Sequence, residues 1–217
     1  MKKQLNLSLY LVLDPTLCGG IEGLVNTTKI AVGNGVTAVQ LRAEQMFHRR
    51  DWYLAALALK QLLMNTPVPL IINDQIDIAL AVDADGVHVG QNDLPVHVVR
   101  RLIGPDKMIG LSVSNQQQLS DVVWPDINYL GIGPVFPTTS KKDAAPALGL
   151  AQFSQLIIQR KCPAVGIGGI NLSNVKAVIQ TGIDGIAVVS AICGQRDIKF
   201  ATTELSHAIY QTRMLRS

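Results

Sequence analysis

The residues of this chain best suited to chemistry are polar and glycine-rich clusters, each directly after a short apolar run. Gln40-Leu41-Arg42-Ala43-Glu44 follows one run and Asn73-Asp74 the next. Then come Gly90-Gln91-Asn92-Asp93, Ser112, Thr138-Thr139-Ser140-Lys141-Lys142, Gly166-Ile167-Gly168-Gly169-Ile170 and Val188-Val189-Ser190. Their types suit phosphate and metal handling. Glycines at 168 and 169 let backbone N–H groups approach an anion, and the helical segment that follows, with Ser173 as a plausible N-cap, favours negative charge at its start. Backbone donors around Val189-Ser190 would stand beside that turn. Asp74 and Asp93 have no sequence-local cation, so together they suit a hard divalent ion such as Mg²⁺, shared with substrate phosphates. Each also suits the N-cap of the helix after it. Arg42, with its forked donors, and Lys141, as a point charge, would clamp a diphosphate. Thr138 and Ser140 can donate to a second phosphate or to a ring. His88, in the apolar GVHVG, reads as a satisfied core histidine, and His48, His97 and His207 read as surface residues. There is no Ser-His-Asp order and no HExxH spacing, which argues against hydrolases of those kinds.

These clusters need elements that bring them to one place. Apolar or β-branched runs predict strands near 7–13, 37–41, 69–72, 86–89, 108–111, 128–131, 163–167 and 185–189. Helical spacing recurs between them. It falls at Leu54, Leu57, Ala58 and Leu62 in 51–64, at Val175, Val178 and Ile179 in 172–181, and at Ile198, Leu205, Ala208 and Ile209 in 197–213. Eight strands, each followed by a helix, predict a (β/α)₈ TIM barrel, with a doubly wound open sheet as the alternative. The barrel would be one compact domain over 1–217, with its core at about 8–210. In such barrels the loops after the strands carry the chemistry, which is where the polar clusters fall. The irregular stretch 133–149, with Pro134, Pro137 and Pro146, reads as a mobile active-site loop.

Composition narrows the function classes. The chain has 217 residues, 48% hydrophobic and 16% charged, against about 25% charged in typical domains. That argues against a disordered chain, a coiled coil or a charge-rich nucleic-acid binder. The net charge of +3 is small, and the pairs Arg49-Arg50, Arg100-Arg101 and Lys141-Lys142 are scattered. No apolar run reaches the roughly 18 residues of a membrane span. Alternation over Leu5, Leu7, Leu9, Leu11 and Leu13 fits a first strand rather than a leader. Three cysteines without a CxxC suggest a reducing cytosol. The expectation is a cytoplasmic enzyme acting on small molecules, with no nucleic-acid or membrane partner and with homo-oligomerisation possible.

The clusters, in this order, resemble the thiamine-phosphate synthase family. The likeness runs from about Tyr10 to about Ala208, through VQLR (39–42), IIND (71–74), ADGVHVGQNDLP (84–95), IGLSVS (109–114), YLGIGPVFPTTSKKDA (129–144), VGIGGI (165–170) and GIAVVSAI (185–192). The resemblance implies a (β/α)₈ barrel that joins a hydroxymethylpyrimidine diphosphate to a thiazole phosphate, releasing pyrophosphate. It implies that the pyrimidine diphosphate meets Gln40, Leu41, Arg42, Ala43, Glu44, Asn73, Ser112 and Lys141, with Arg42, Ser112 and Lys141 catalytic. It assigns one Mg²⁺ to Asp74 and Asp93, and the thiazole phosphate to Thr138, Thr139, Ser140, Gly169, Val189 and Ser190. The family usually reads Q-x-R-x-K after the second strand, whereas here Glu44 stands in the lysine's place. Gln75 stands where arginine is common. Glu44 leaves open a non-synthase relative that binds thiazole or thiamine phosphate, or isomerises the thiazole.

Overall fold

The computed structural model describes residues 3–43, 48–140 and 145–215. Eight short strands form a closed, all-parallel barrel in sequence order. They are β1 (Leu9–Leu13), β2 (Ala38–Leu41), β3 (Leu70–Asn73), β4 (Gly86–Val89), β5 (Met108–Val113), β6 (Tyr129–Ile132), β7 (Ala164–Ile167) and β8 (Gly185–Val188). Their apolar sequences follow from position, because parallel strands covered by helices outside and by each other inside are buried on both faces. The helices are α1 (Pro15–Cys18), α2 (Gly20–Val32), α3 (Arg49–Leu63), α4 (Ile76–Ala81), α5 (Val96–Ile103), α6 (Gln116–Ser120), α7 (Gly149–Ile158), α8 (Val175–Gln180) and α9 (Ile198–Met214). Among the described residues, no helix is long and apolar enough to cross a membrane.

The period of two along each strand sorts side chains into two cores. Tyr10, Val12, Ala38, Ile71, Met108, Tyr129, Val165 and Ala187 fill the barrel interior. Leu9, Leu11, Leu13, Val39, Leu41, Leu70 and Ile72, with their counterparts on the other strands, pack outward against the helices. The register carries the inward row from strand to strand. Val12 pairs with Gln40, Asn73 with His88, His88 with Gly110, and Ser112 with Gly131. Four polar side chains therefore point into the barrel near the carboxyl ends of β2 to β5.

Two expectations need correction. Helix α3 forms as expected, but Trp52, Ala55, Ala56, Leu59 and Leu63 face the barrel, while Leu54 is 41% exposed. The helix is apolar on two overlapping stripes. The stripe that carries the paired alanines is the buried one. Ser173 does not cap α8. Its hydroxyl donates to Asn171 Oδ1 (2.6 Å), and Asn174 occupies the cap position. The stretch 133–149 is anchored at both ends. Val135 and Phe136 donate backbone hydrogen bonds to Ile167 and Gly168, and Leu148 and Gly149 return them to Pro134 and Val135. Val135 is fully buried. Residues 141–144 of that stretch lie outside the described residues.

Candidate active site

The carboxyl ends of the strands open into one cleft of about 1000 Å³. It is lined by Gln40, Arg42, Ala43, Asn73, Asp74, Asp93, Ser112, Thr138, Thr139, Ser140, Gly169, Val189 and Ser190. Residues from the carboxyl ends of seven strands, β2 to β8, far apart in sequence, are thus brought together. Leu41 is the exception: it is fully buried against the helices. Strand alternation turns it outward between Gln40 and Arg42, so its side chain does not reach the cleft. Glu44 and Lys141 lie outside the described residues.

Local chemistry sets each group. The N–H of Arg42 donates to Leu13 O (3.0 Å), continuing the ladder one residue past β2 and fixing where the arginine leaves the barrel. Asp74 adopts a left-handed backbone, φ 57°. Its N–H donates to His88 O (2.9 Å) and its Oδ2 accepts from the Asn73 amide (2.6 Å). Asp93 Oδ2 accepts from Gly90 N–H (2.7 Å), which closes the loop after β4. Neither aspartate is a helix cap: Gln75 and Pro95 occupy those positions. Both residues line the same cleft instead.

The glycine turn after β7 is dictated by crowding. Gly168 and Gly169 have φ of 96° and 64°. A Cβ on Gly168 would lie 2.4 Å from Pro134 Cβ, and one on Gly169 would lie 2.6 Å from Pro137 O. The backbone of β7 and the proline-containing segment after β6 therefore run side by side, leaving the turn's edge along the cleft. Because α8 has only six residues and starts at Val175, the anion-binding character expected here rests on the turn rather than on a helix end.

Composition and spacing leave two inward-facing residues without a role: Tyr10, which lines the cleft, and Tyr129 in the barrel interior beneath it, both fully buried with their hydroxyls 2.8 Å apart. His88, read as a core histidine, is indeed buried and satisfied, but it also lines the cleft. Burial raises the pKa of both phenols above the ordinary value. A signal existed in the period of two, which puts Tyr10 and Tyr129 on the inward row once the barrel closes. Arg49, from one of the scattered basic pairs, bonds Gln75 and Asp77 at the start of α4.

The family model for thiamine monophosphate synthase matches residues 9–192, from β1 to just past β8. The chain belongs to that family. It is 53% identical to a thiamine-phosphate synthase of Laribacter hongkongensis over 205 residues, which is 94% of this chain and 96% of the relative. Identity to a thiamine-phosphate synthase of Desulfitobacterium hafniense is 50% over 190 residues, 88% of this chain and 91% of the relative. Among solved structures, thiamine phosphate pyrophosphorylase from Pyrococcus furiosus superposes with a TM-score of 0.85 at 35% identity, covering 95% of this chain and 97% of that one. A 3-hexulose-6-phosphate synthase superposes with a TM-score of 0.68 at 14% identity, covering 93% of this chain and 99% of that one. That likeness shows the (β/α)₈ fold alone.

Proposed function

We propose that this chain is a cytoplasmic thiamine-phosphate synthase, a transferase that joins a 4-aminopyrimidine methyl diphosphate to a thiazole phosphate and releases pyrophosphate. The observation that carries the reading is one cleft holding Asp74, Asp93 and Arg42 on one side and Thr138, Ser140 and the Gly168-Gly169 turn on the other. Its volume suits two small substrates at once. Gln40, Asn73 and Ser112 face the pyrimidine. Arg42, and Lys141 from beyond the described residues, hold the diphosphate. Thr138, Thr139, Ser140, Gly169, Val189 and Ser190 take the thiazole phosphate.

The donor set at Asp74 and Asp93 fits Mg²⁺. That ion is commonly held by one or two carboxylates, with substrate phosphates and water completing its shell. Bound there, Mg²⁺ would supply positive charge against the departing diphosphate. Arg42 adds forked donors aimed at charge that develops as the C–O bond breaks. The electron-rich aminopyrimidine stabilises the methylene cation, and the thiazole nitrogen captures it with its own lone pair. No protein base is needed to generate that nucleophile. The cleft's remaining task is to orient the two rings and exclude water.

Purified protein given both substrates and Mg²⁺ is expected to release one pyrophosphate per thiamine phosphate formed, and chelation is expected to reduce the rate to background. Thiazole phosphate binding without pyrophosphate release would sink the synthase reading. It would favour the binding or isomerising relative that Glu44 suggests.

A further inference from the structure

A continuous line of hydrogen bonds crosses the barrel floor and links two of the cleft's polar groups. Gln40 Nε2 donates to Tyr10 Oη (2.8 Å). Tyr10 and Tyr129 hydroxyls meet at 2.8 Å. Tyr129 Oη contacts His88 Nδ1 (3.0 Å), and His88 Nε2 contacts Ser112 Oγ (2.9 Å). The five residues come from β2, β1, β6, β4 and β5, so no local sequence element could make the chain. The strands leave room for it. A Cβ on Gly110 would lie 2.2 Å from Tyr129 Cζ and 2.4 Å from His88 Nδ1, and one on Gly131 would lie 3.2 Å from His88 Cε1.

We propose that Tyr10, Tyr129 and His88 are positioning residues that fix the direction of this line, with Gln40 Oε1 offered to the cleft as an acceptor and Ser112 O–H as a donor. The number of hydrogens available along the line fixes its direction. Burial keeps each phenol protonated, so each hydroxyl has one hydrogen to give. Tyr10 accepts from the Gln40 amide and must give its hydrogen to Tyr129. Tyr129 must then give its own to His88 Nδ1. An imidazole that accepts at Nδ1 carries its hydrogen on Nε2. His88 therefore donates to Ser112 Oγ, and the serine hydrogen is left for the cleft. Reversing any one link would leave two hydrogens facing each other in a buried space, so the line has one direction or the opposite one as a whole. The direction found here complements an aminopyrimidine, which offers an amino hydrogen and ring-nitrogen lone pairs. The inference rests on the proposed role of Gln40 and Ser112 toward the pyrimidine.

Two measurements test it. In the wild-type chain, ¹⁵N NMR of labelled histidines should show His88 as the neutral tautomer with hydrogen on Nε2, and Tyr129→Phe should shift that ring toward mixed tautomers. Tyr129→Phe and Tyr10→Phe should each lower kcat/KM for the pyrimidine diphosphate by about tenfold, the scale of one hydrogen bond. KM for thiazole phosphate should stay unchanged, which a general loosening of the barrel would not allow. Gly110→Ala should reproduce the tautomer shift from the opposite side. Hydrogen on Nδ1 in the wild type, or wild-type kcat/KM in both phenylalanine variants, would overturn the proposal. Failure of the wild-type chain to release pyrophosphate would overturn the proposed function instead, and the tautomer would still decide the direction of the line.

Discussion

Replacing Arg42 with alanine is expected to lower the rate of pyrophosphate release by about 10²- to 10³-fold, the range seen when one preorganised donor to developing charge is lost. Arg42 sits one residue past β2, with its N–H tied to Leu13 O, so its Cα is held by the barrel rather than by a free loop. Its side chain lines the cleft beside Asn73 and Asp74. A guanidinium fork matches two diphosphate oxygens at once, which an ammonium cannot do. Arg42→Lys, which keeps the charge and loses the fork, is therefore expected to fall between wild type and alanine. The loss should appear in kcat as well as kcat/KM, because charge accumulates on the diphosphate as the bond breaks. A wild-type rate for Arg42→Ala would remove Arg42 from the mechanism. Glu44→Lys in the same assay restores the family's Q-x-R-x-K pattern and is expected to hold or raise the rate. Two like charges about 4 Å apart repel by roughly 4 kcal/mol at an effective dielectric of about 20, so a carboxylate facing the diphosphate would be a burden. A large loss would give Glu44 a role of its own.

The barrel was legible because its strands are short, apolar and regularly spaced, and closure leaves each one buried on both faces. The cleft was legible for a related reason. On a chain with few charges, polar residues that directly follow apolar runs stand out, and the fold puts all those ends on one side. What escaped is whatever depends on which way a side chain points. Leu41 adjoins two cleft residues in sequence but lies on the other face of β2. In α3, apolar residues cover more than one stripe, and only the barrel surface decides that Ala55 and Ala56 face inward while Leu54 does not. The tyrosines are the clearest case. Tyr10 and Tyr129 lie 119 residues apart, and each alone reads as an aromatic in an apolar strand. Their hydroxyls acquire a role only when closure sets β1 and β6 across the same interior.

Asp74→Gly is expected to abolish the Mg²⁺ response and reduce pyrophosphate release by about 10²-fold or more, while leaving the fold as stable as before or slightly more so. Among the described residues, Asp74 and Asp83 are the non-glycine positions with positive φ, at 57° and 52°. A left-handed residue with a Cβ carries a conformational cost of roughly 1–2 kcal/mol, somewhat less for aspartate, which tolerates this region. Such strain persists where surrounding contacts over-determine it. At Asp74 they do: its N–H bonds His88 O, its carbonyl accepts from Ile76 N–H (3.1 Å), and Asn73 holds its carboxylate. Asp83 is held differently, by Lys60 and Lys107, and does not line the cleft. At the end of β3 the left-handed turn puts a carboxylate into the cleft where a right-handed continuation into α4 would not. Glycine adopts the same φ without a Cβ clash, while losing about 0.5–1 kcal/mol to the greater freedom of the unfolded chain. The two terms nearly cancel, so the thermal midpoint should stay within about 4 °C of wild type. Asp74→Asn, isosteric and equally tolerant of the turn, should match the wild-type midpoint and share the activity loss, which separates charge from conformation. If Asp74→Gly keeps its Mg²⁺ dependence, the carboxylate is not a metal ligand. If it unfolds many degrees lower, the side-chain contacts of Asp74, and not its chemistry, explain why an aspartate stands there.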